Sequence, residues 1–95
     1  MNFGRYIRQT RIEKRLLLRH VASVLEIDSA LLSKIERGER RAKRQHVCTL
    51  SVLLGIDNKM LLIIWMADQV CELVKGEDNA SEILQSALQN VENTL

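Results

Sequence analysis

Leu18, Val21, Ala22 and Leu25 fall at i, i+3, i+4 and i+7, the spacing that gives an α-helix one buried face. Asp28, three residues on, is a good N-cap for another helix. Only Glu26, Ile27 and Asp28 join the two, a connection so short that the helices must cross at a steep angle. Whatever else the chain does has to be arranged around that crossing.

The remaining sequence also favours helices. It has no proline, four glycines, 3% aromatic residues and no alternating apolar run, so no strand is predicted. A first helix is predicted from about Asn2 to Lys14, with Phe3, Ile7 and Arg11 on one four-residue row and Ile12 and Leu16 beside it. The second covers about Leu18 to Leu25. The third follows Asp28 and ends near Arg37, where Gly38 supplies the left-handed conformation that closes a helix. A fourth, from about Arg44 to Leu54, buries Val47, Leu50, Leu54 and either Val52 or Leu53 before Gly55 stops it. A fifth begins after Asp57 and continues to about Lys75. It is apolar nearly all round from Met60 to Ala67, then narrows to Val70, Cys71, Leu73 and Val74 ahead of Gly76. "NASE", residues 79–82, has the form of a capping box, and a sixth helix follows with Ile83, Leu84, Ala87, Leu88, Val91 and Leu95 as one stripe.

Ninety-five residues, 46% apolar and 27% charged, suit one domain with a single modest core and an appendage. We expect a main unit over residues 1–76 and an added C-terminal helix over 77–95. Cys48 and Cys71 lie inside apolar helical patterns without metal-type spacing, so both are expected to be reduced core thiols. The longest apolar stretch, Met60 to Ala67, is far below the ~20 residues that span a bilayer, and the N-terminus has no signal-type run. The expectation is a soluble, cytoplasmic protein away from membranes. His20 and His46 are isolated, and no catalytic triad, paired-carboxylate or glycine-rich phosphate motif occurs, so an enzyme, a metal site, a cofactor and a small-molecule ligand are not expected.

Charge divides the chain. Residues 1–46 hold twelve Lys/Arg against five Asp/Glu, a net of +7, whereas residues 47–95 hold two against seven, a net of −5. A basic half of this size attracts polyanions by neutralising phosphates and releasing counterions. On the third helix Leu32 and Ile35 point inward, with Leu31 at the margin, which leaves Ser29, Ala30, Ser33, Lys34 and Arg37 outward. Small side chains let a helix sink into the ~12 Å major groove, where Ser offers hydroxyl bonds, Ala meets thymine methyls and Lys reaches guanine acceptors. Arg40, Arg41, Lys43 and Arg44 follow as a strap for phosphates. Two further charges stand on apolar rows: Arg11 after Phe3 and Ile7, and Glu36 after Leu32. Buried charges need partners, and an ion pair between them satisfies both while setting the angle of the third helix.

Arg11, "VASVLEID" (21–28), "LSKIERGER" (32–40) and "LLGID" (53–57) together resemble the phage-repressor-like helix-turn-helix family of DNA-binding regulators, the xenobiotic-response-element type. That family carries an Arg in its first helix, then "LA..LG(V/I)(S/D)" and "(I/L)S(R/K)IERG". The likeness runs from Gly4 to Leu62, about 60% of the chain. It implies an all-α, lambda-repressor-like bundle of about five helices with an added C-terminal helix, base-reading positions at Ser29, Ala30, Ser33 and Lys34, a helix-locking pair at Arg11 and Glu36, and phosphate contacts from Arg37 to Arg44. Departures are informative. Leu17 and Leu18 replace the capping residue and Gln at the start of the second helix, leaving backbone N–H groups or Arg19 for a phosphate there. Glu26 replaces the glycine of the turn and must tolerate a left-handed conformation or alter it. Ala42 stands in place of a proline, which could let the fourth helix start early.

The fifth helix is too apolar between Leu61 and Met66 for one small core to cover, and the sixth has its own stripe. A homodimer covers both, with Trp65 and Leu62, Ile63 or Met66 near the two-fold axis and Leu84, Leu88 and Val91 in the interface. Two reading helices about one DNA turn apart then suit a palindrome in double-stranded DNA. The expected function is a non-enzymatic transcription regulator. Residues 19–42 look most like regulators of DNA methyltransferase and restriction-modification operons, and a prophage repressor is close behind. The rival is an antitoxin or protein-interaction module whose C-terminal helices bind a partner protein.

Overall fold

The computed structural model describes residues 2–94, which form α1 (Phe3–Glu13), α2 (Leu18–Val24), α3 (Ser29–Glu36), α4 (Arg44–Leu54), α5 (Asn58–Leu73) and α6 (Ala80–Thr94), with no strand among the described residues. Leu95, predicted to end the stripe of the sixth helix, lies outside the described residues. The fold is all-α.

Side chains set three of the helix starts. Asn2 accepts from the Arg5 amide at 2.8 Å, Asp28 from Leu31 at 2.7 Å and Asp57 from Met60 at 3.0 Å, each satisfying an N–H that the helix leaves unpaired. By contrast α2 and α4 begin after Leu17 and Lys43 with no side-chain cap.

One closing device recurs at the end of α1, α2, α3 and α4. Arg15, Glu26, Gly38 and Gly55 take φ of 58°, 59°, 78° and 67°. The next residue's amide then reaches back five positions, from Leu16 to Arg11, Ile27 to Ala22, Glu39 to Lys34 and Ile56 to Ser51, at 2.9–3.0 Å. These are Schellman ends. Glu26 thus keeps the turn geometry that the absent glycine would give, at a steric cost of about 1 kcal/mol that glycine does not bear. The fourth helix starts at Arg44, as its sequence suggests, and not earlier.

The core gathers Phe3 and Ile7 of α1, Val21, Ala22 and Leu25 of the α2 segment, Leu32 and Ile35 of α3, Val47, Leu50 and Leu54 of α4, then Ile56, Leu61 and Trp65. Each Val, Leu, Ile or Phe side chain among them contributes about 1.5–3 kcal/mol on leaving water. The α1 helix lies against α3, α4 and α5, while α2 packs on α3 and α4 on α5. Gly4 makes the first of these contacts possible: a Cβ there would stand 2.4 Å from the Ile35 carbonyl oxygen and 2.6 Å from that of Glu36. Only glycine lets α1 approach the end of α3 so closely.

Several expectations are corrected. Ile12 is exposed, because α1 buries the row of Phe3 and Ile7 and turns its neighbour outward. Val52 also faces solvent, leaving Leu53 as the half-buried member of that pair. Cys48 and Cys71 are free and exposed, not core thiols. Cys48 lies off the Val47, Leu50, Leu54 face of α4, and Cys71 lies beyond Trp65, the last buried residue of α5 itself. Trp65 is itself only 9% exposed, so it belongs to the chain's own core and is not available at a two-fold axis.

Candidate nucleic-acid interface

The candidate surface starts with a capped, two-faced helix. Asp28 fixes the first turn of α3, and Leu32 and Ile35 press its inner side into the core. Outward stand Ala30, Lys34 and Arg37, all exposed, with Ser29 and Ser33 half-buried along the flank. No other helix lies over Ala30 or Lys34 among the described residues.

Behind this face, Arg11 grips the end of α3. Its Nε donates to Glu36 Oε2 at 2.8 Å and Nη2 to Oε1 at 3.1 Å, while Nη1 donates to the Leu16 carbonyl at 2.9 Å. The Glu36 side chain is 4% exposed and that of Arg11 12%, so the pair is largely removed from water. One guanidinium therefore ties α1 to α3 and also holds the turn that leads into α2. Because both charges are satisfied, the pair fixes the tilt of the outer face; breaking it would strand a buried charge.

Arg37 and Ser33 are occupied with near neighbours. Arg37 Nη1 donates to Ser33 Oγ at 2.8 Å and Nε donates to the Glu39 carboxylate. Helical spacing does not single out Glu39 as a partner of Arg37. Its pair with Arg37 is exposed and worth roughly 0–1 kcal/mol, so little free energy is needed to open it. The Ser33 hydroxyl, accepting from Arg37, still has its own proton to donate.

Arg40, Arg41, Lys43 and Arg44 are exposed around the strap between α3 and α4, and none is in an ion pair among the described residues. Between them Ala42 is 3% exposed, and its carbonyl accepts from Trp65 Nε1 at 2.9 Å. On the other flank Leu17, Leu18, Arg19 and Ser29 line one shallow hollow, which brings the uncapped start of α2 beside the start of α3. Arg19 and His20 are exposed there. His46 is buried in the first turn of α4, and its Nδ1 has no hydrogen-bond partner among the described residues. Periodicity reveals neither Gly4 nor the Trp65 contact, although a buried indole N–H usually finds an acceptor.

The proposed interface residues of α5 and α6 fall elsewhere. Ile63 and Met66 are exposed and Leu62 half-buried on α5, and Leu88 and Val91 are exposed with Leu84 half-buried on α6. No helix of the described residues is long and apolar enough to cross a membrane.

Among known proteins, the sequence profile of the helix-turn-helix domain matches residues 2–61. No curated protein matches the chain. A solved structure, that of the clp gene regulator ClgR from Corynebacterium glutamicum, is similar over 98% of this chain and 85% of that one, with 22% identity and a TM-score of 0.59. At that identity the likeness is one of fold.

Proposed function

The chain belongs to the helix-turn-helix domain family, and from that premise we propose that it is a sequence-specific, DNA-binding transcriptional regulator that acts in the cytoplasm as a homodimer on a palindromic operator. The observation that carries this reading is the uncovered Ala30–Lys34 face of α3, flanked by four exposed cations that form no ion pair among the described residues. Ser29, Ala30, Ser33 and Lys34 read base edges; Arg19, Arg37, Arg40, Arg41, Lys43 and Arg44 hold phosphates. Residues 1–76 form the DNA-binding unit, and residues 77–95 add a dimerisation helix whose Leu84, Leu88 and Val91 meet a second copy together with Leu62, Ile63 and Met66.

Bare α6 also supports a second reading, an antitoxin or adaptor whose C-terminal helices hold a different protein. The likeness of residues 19–42 to regulators of restriction-modification operons makes timing of such genes the preferred context, with prophage repression next. Selection of bound sites from random duplex DNA at two salt concentrations tests the main reading. Recovered palindromes with half-sites about one turn apart support it; absence of enrichment at both salts refutes it. Light scattering separates a homodimer from a monomer awaiting another partner.

A further inference from the structure

The strap is nearly devoid of backbone support. Between the Glu39 amide, bonded to Lys34, and the Lys43 carbonyl, which accepts from His46 and Val47, the bond from Trp65 Nε1 to the Ala42 carbonyl is the strap backbone's single hydrogen bond among the described residues. Four cations crowd this segment and repel one another, which favours a splayed chain. Against that stand the burial of Ala42 and one bond in a low-dielectric setting, where such a bond is electrostatically strong. Lys43 has extended backbone, with φ −78° and ψ 154°, and while Ala42 is drawn inward its neighbours Arg41 and Lys43 are both exposed.

The helix that supplies this anchor is registered to the reading helix by a second one. One turn after Trp65, Asp68 Oδ2 accepts from the Phe3 amide at 2.7 Å, and the adjoining Gly4 abuts the Ile35 and Glu36 carbonyls at the end of α3. Strap, α5, α1 and α3 thus form a closed mechanical circuit. We propose that Trp65 is a positioning residue for DNA binding: its indole N–H holds the phosphate strap at a fixed height beside the reading face of α3. This rests on the DNA-binding reading above.

Trp65 is the chain's one tryptophan, so it can be replaced throughout by β-(3-benzothienyl)alanine, which keeps the ring shape but has sulfur where the N–H was. Binding to the selected site and to random duplex is measured against salt for the wild-type protein, this isostere and Trp65→Phe, with amide exchange over residues 40–43 followed in parallel. The isostere is expected to lose roughly tenfold in affinity for both DNAs, with a shallower salt slope, an unchanged ratio between the two DNAs and faster exchange in the strap. Should Trp65→Phe fail to fold, the isostere alone decides. Unchanged affinity and slope in the isostere, or a loss with no change of slope, would overturn the proposal. If the wild-type protein binds no duplex, the DNA-binding reading fails and takes this inference with it; if it binds and the isostere matches it, this inference alone fails.

Discussion

The α3 and α6 helices carry apolar stripes of similar regularity, yet they end in opposite environments. Leu32 and Ile35 of α3 are fully enclosed, and even the charge on the same row, Glu36, is buried against Arg11. Fifteen-residue α6 has no fully buried residue, and Leu88 and Val91 remain more than half exposed. The difference teaches that helical spacing reveals that a face needs covering but not what covers it. For α3 the cover is α1 and α2 of the same chain. For α6 the proposed cover is a second copy.

The strongest way to break the contrast is to damage the enclosed side. Glu36→Ala should lower unfolding stability by about 3–5 kcal/mol, because Arg11 is left buried without its carboxylate. A urea midpoint equal to the wild type's would mean that the pair does not hold α3. On the bare side, Leu88→Asp should raise the dimer dissociation constant at least roughly a hundredfold, about 2.7 kcal/mol, by placing a charge in the proposed interface. The bundle's own melting should hardly respond. Light scattering that finds the same mass for both proteins would remove Leu88 from the contact.

The contrast between the outer face of α3 and its strap can be sharpened with two substitutions. Lys34→Ala should cost about 1–3 kcal/mol on the selected site and little on random DNA, whereas Arg41→Ala should weaken every DNA alike and reduce the salt slope by about one. Equal losses on both DNAs for Lys34→Ala would exclude it from base reading. The smallest expected effect is a gain: Glu26→Gly should stabilise the protein by roughly 0.5–1 kcal/mol, since φ of 59° strains any side chain there. Thermal unfolding would show a raised midpoint, and a lowered one would show that the Glu26 side chain has an unseen role.

Much of the local order could be read from the residues. Asp28 and Asp57 are caps by chemistry, Gly38 and Gly55 are stops by φ, and the six helices follow from periodicity within a few residues at each end. Arg11 and Glu36 stand out as charges on apolar rows. Ile12 and Val52 were harder to place, because each borders a buried row and helical spacing alone does not define how wide the covered stripe is. Trp65 illustrates the deeper limit. Its position in an all-round apolar stretch suggests a place near a two-fold axis, whereas the structure buries it in the chain's own core with its N–H on the Ala42 carbonyl.

What the linear order of residues determined is the helical class, the steep crossing of two helices and the basic half that surrounds it, because these depend on neighbours within a turn or two. What only the tertiary structure decided is the clearance that Gly4 gives between α1 and α3, the anchoring of the strap on Trp65 and the bareness of α6. Those depend on which distant surfaces meet, and distance in space is the one quantity that a repeat of three or four residues does not encode.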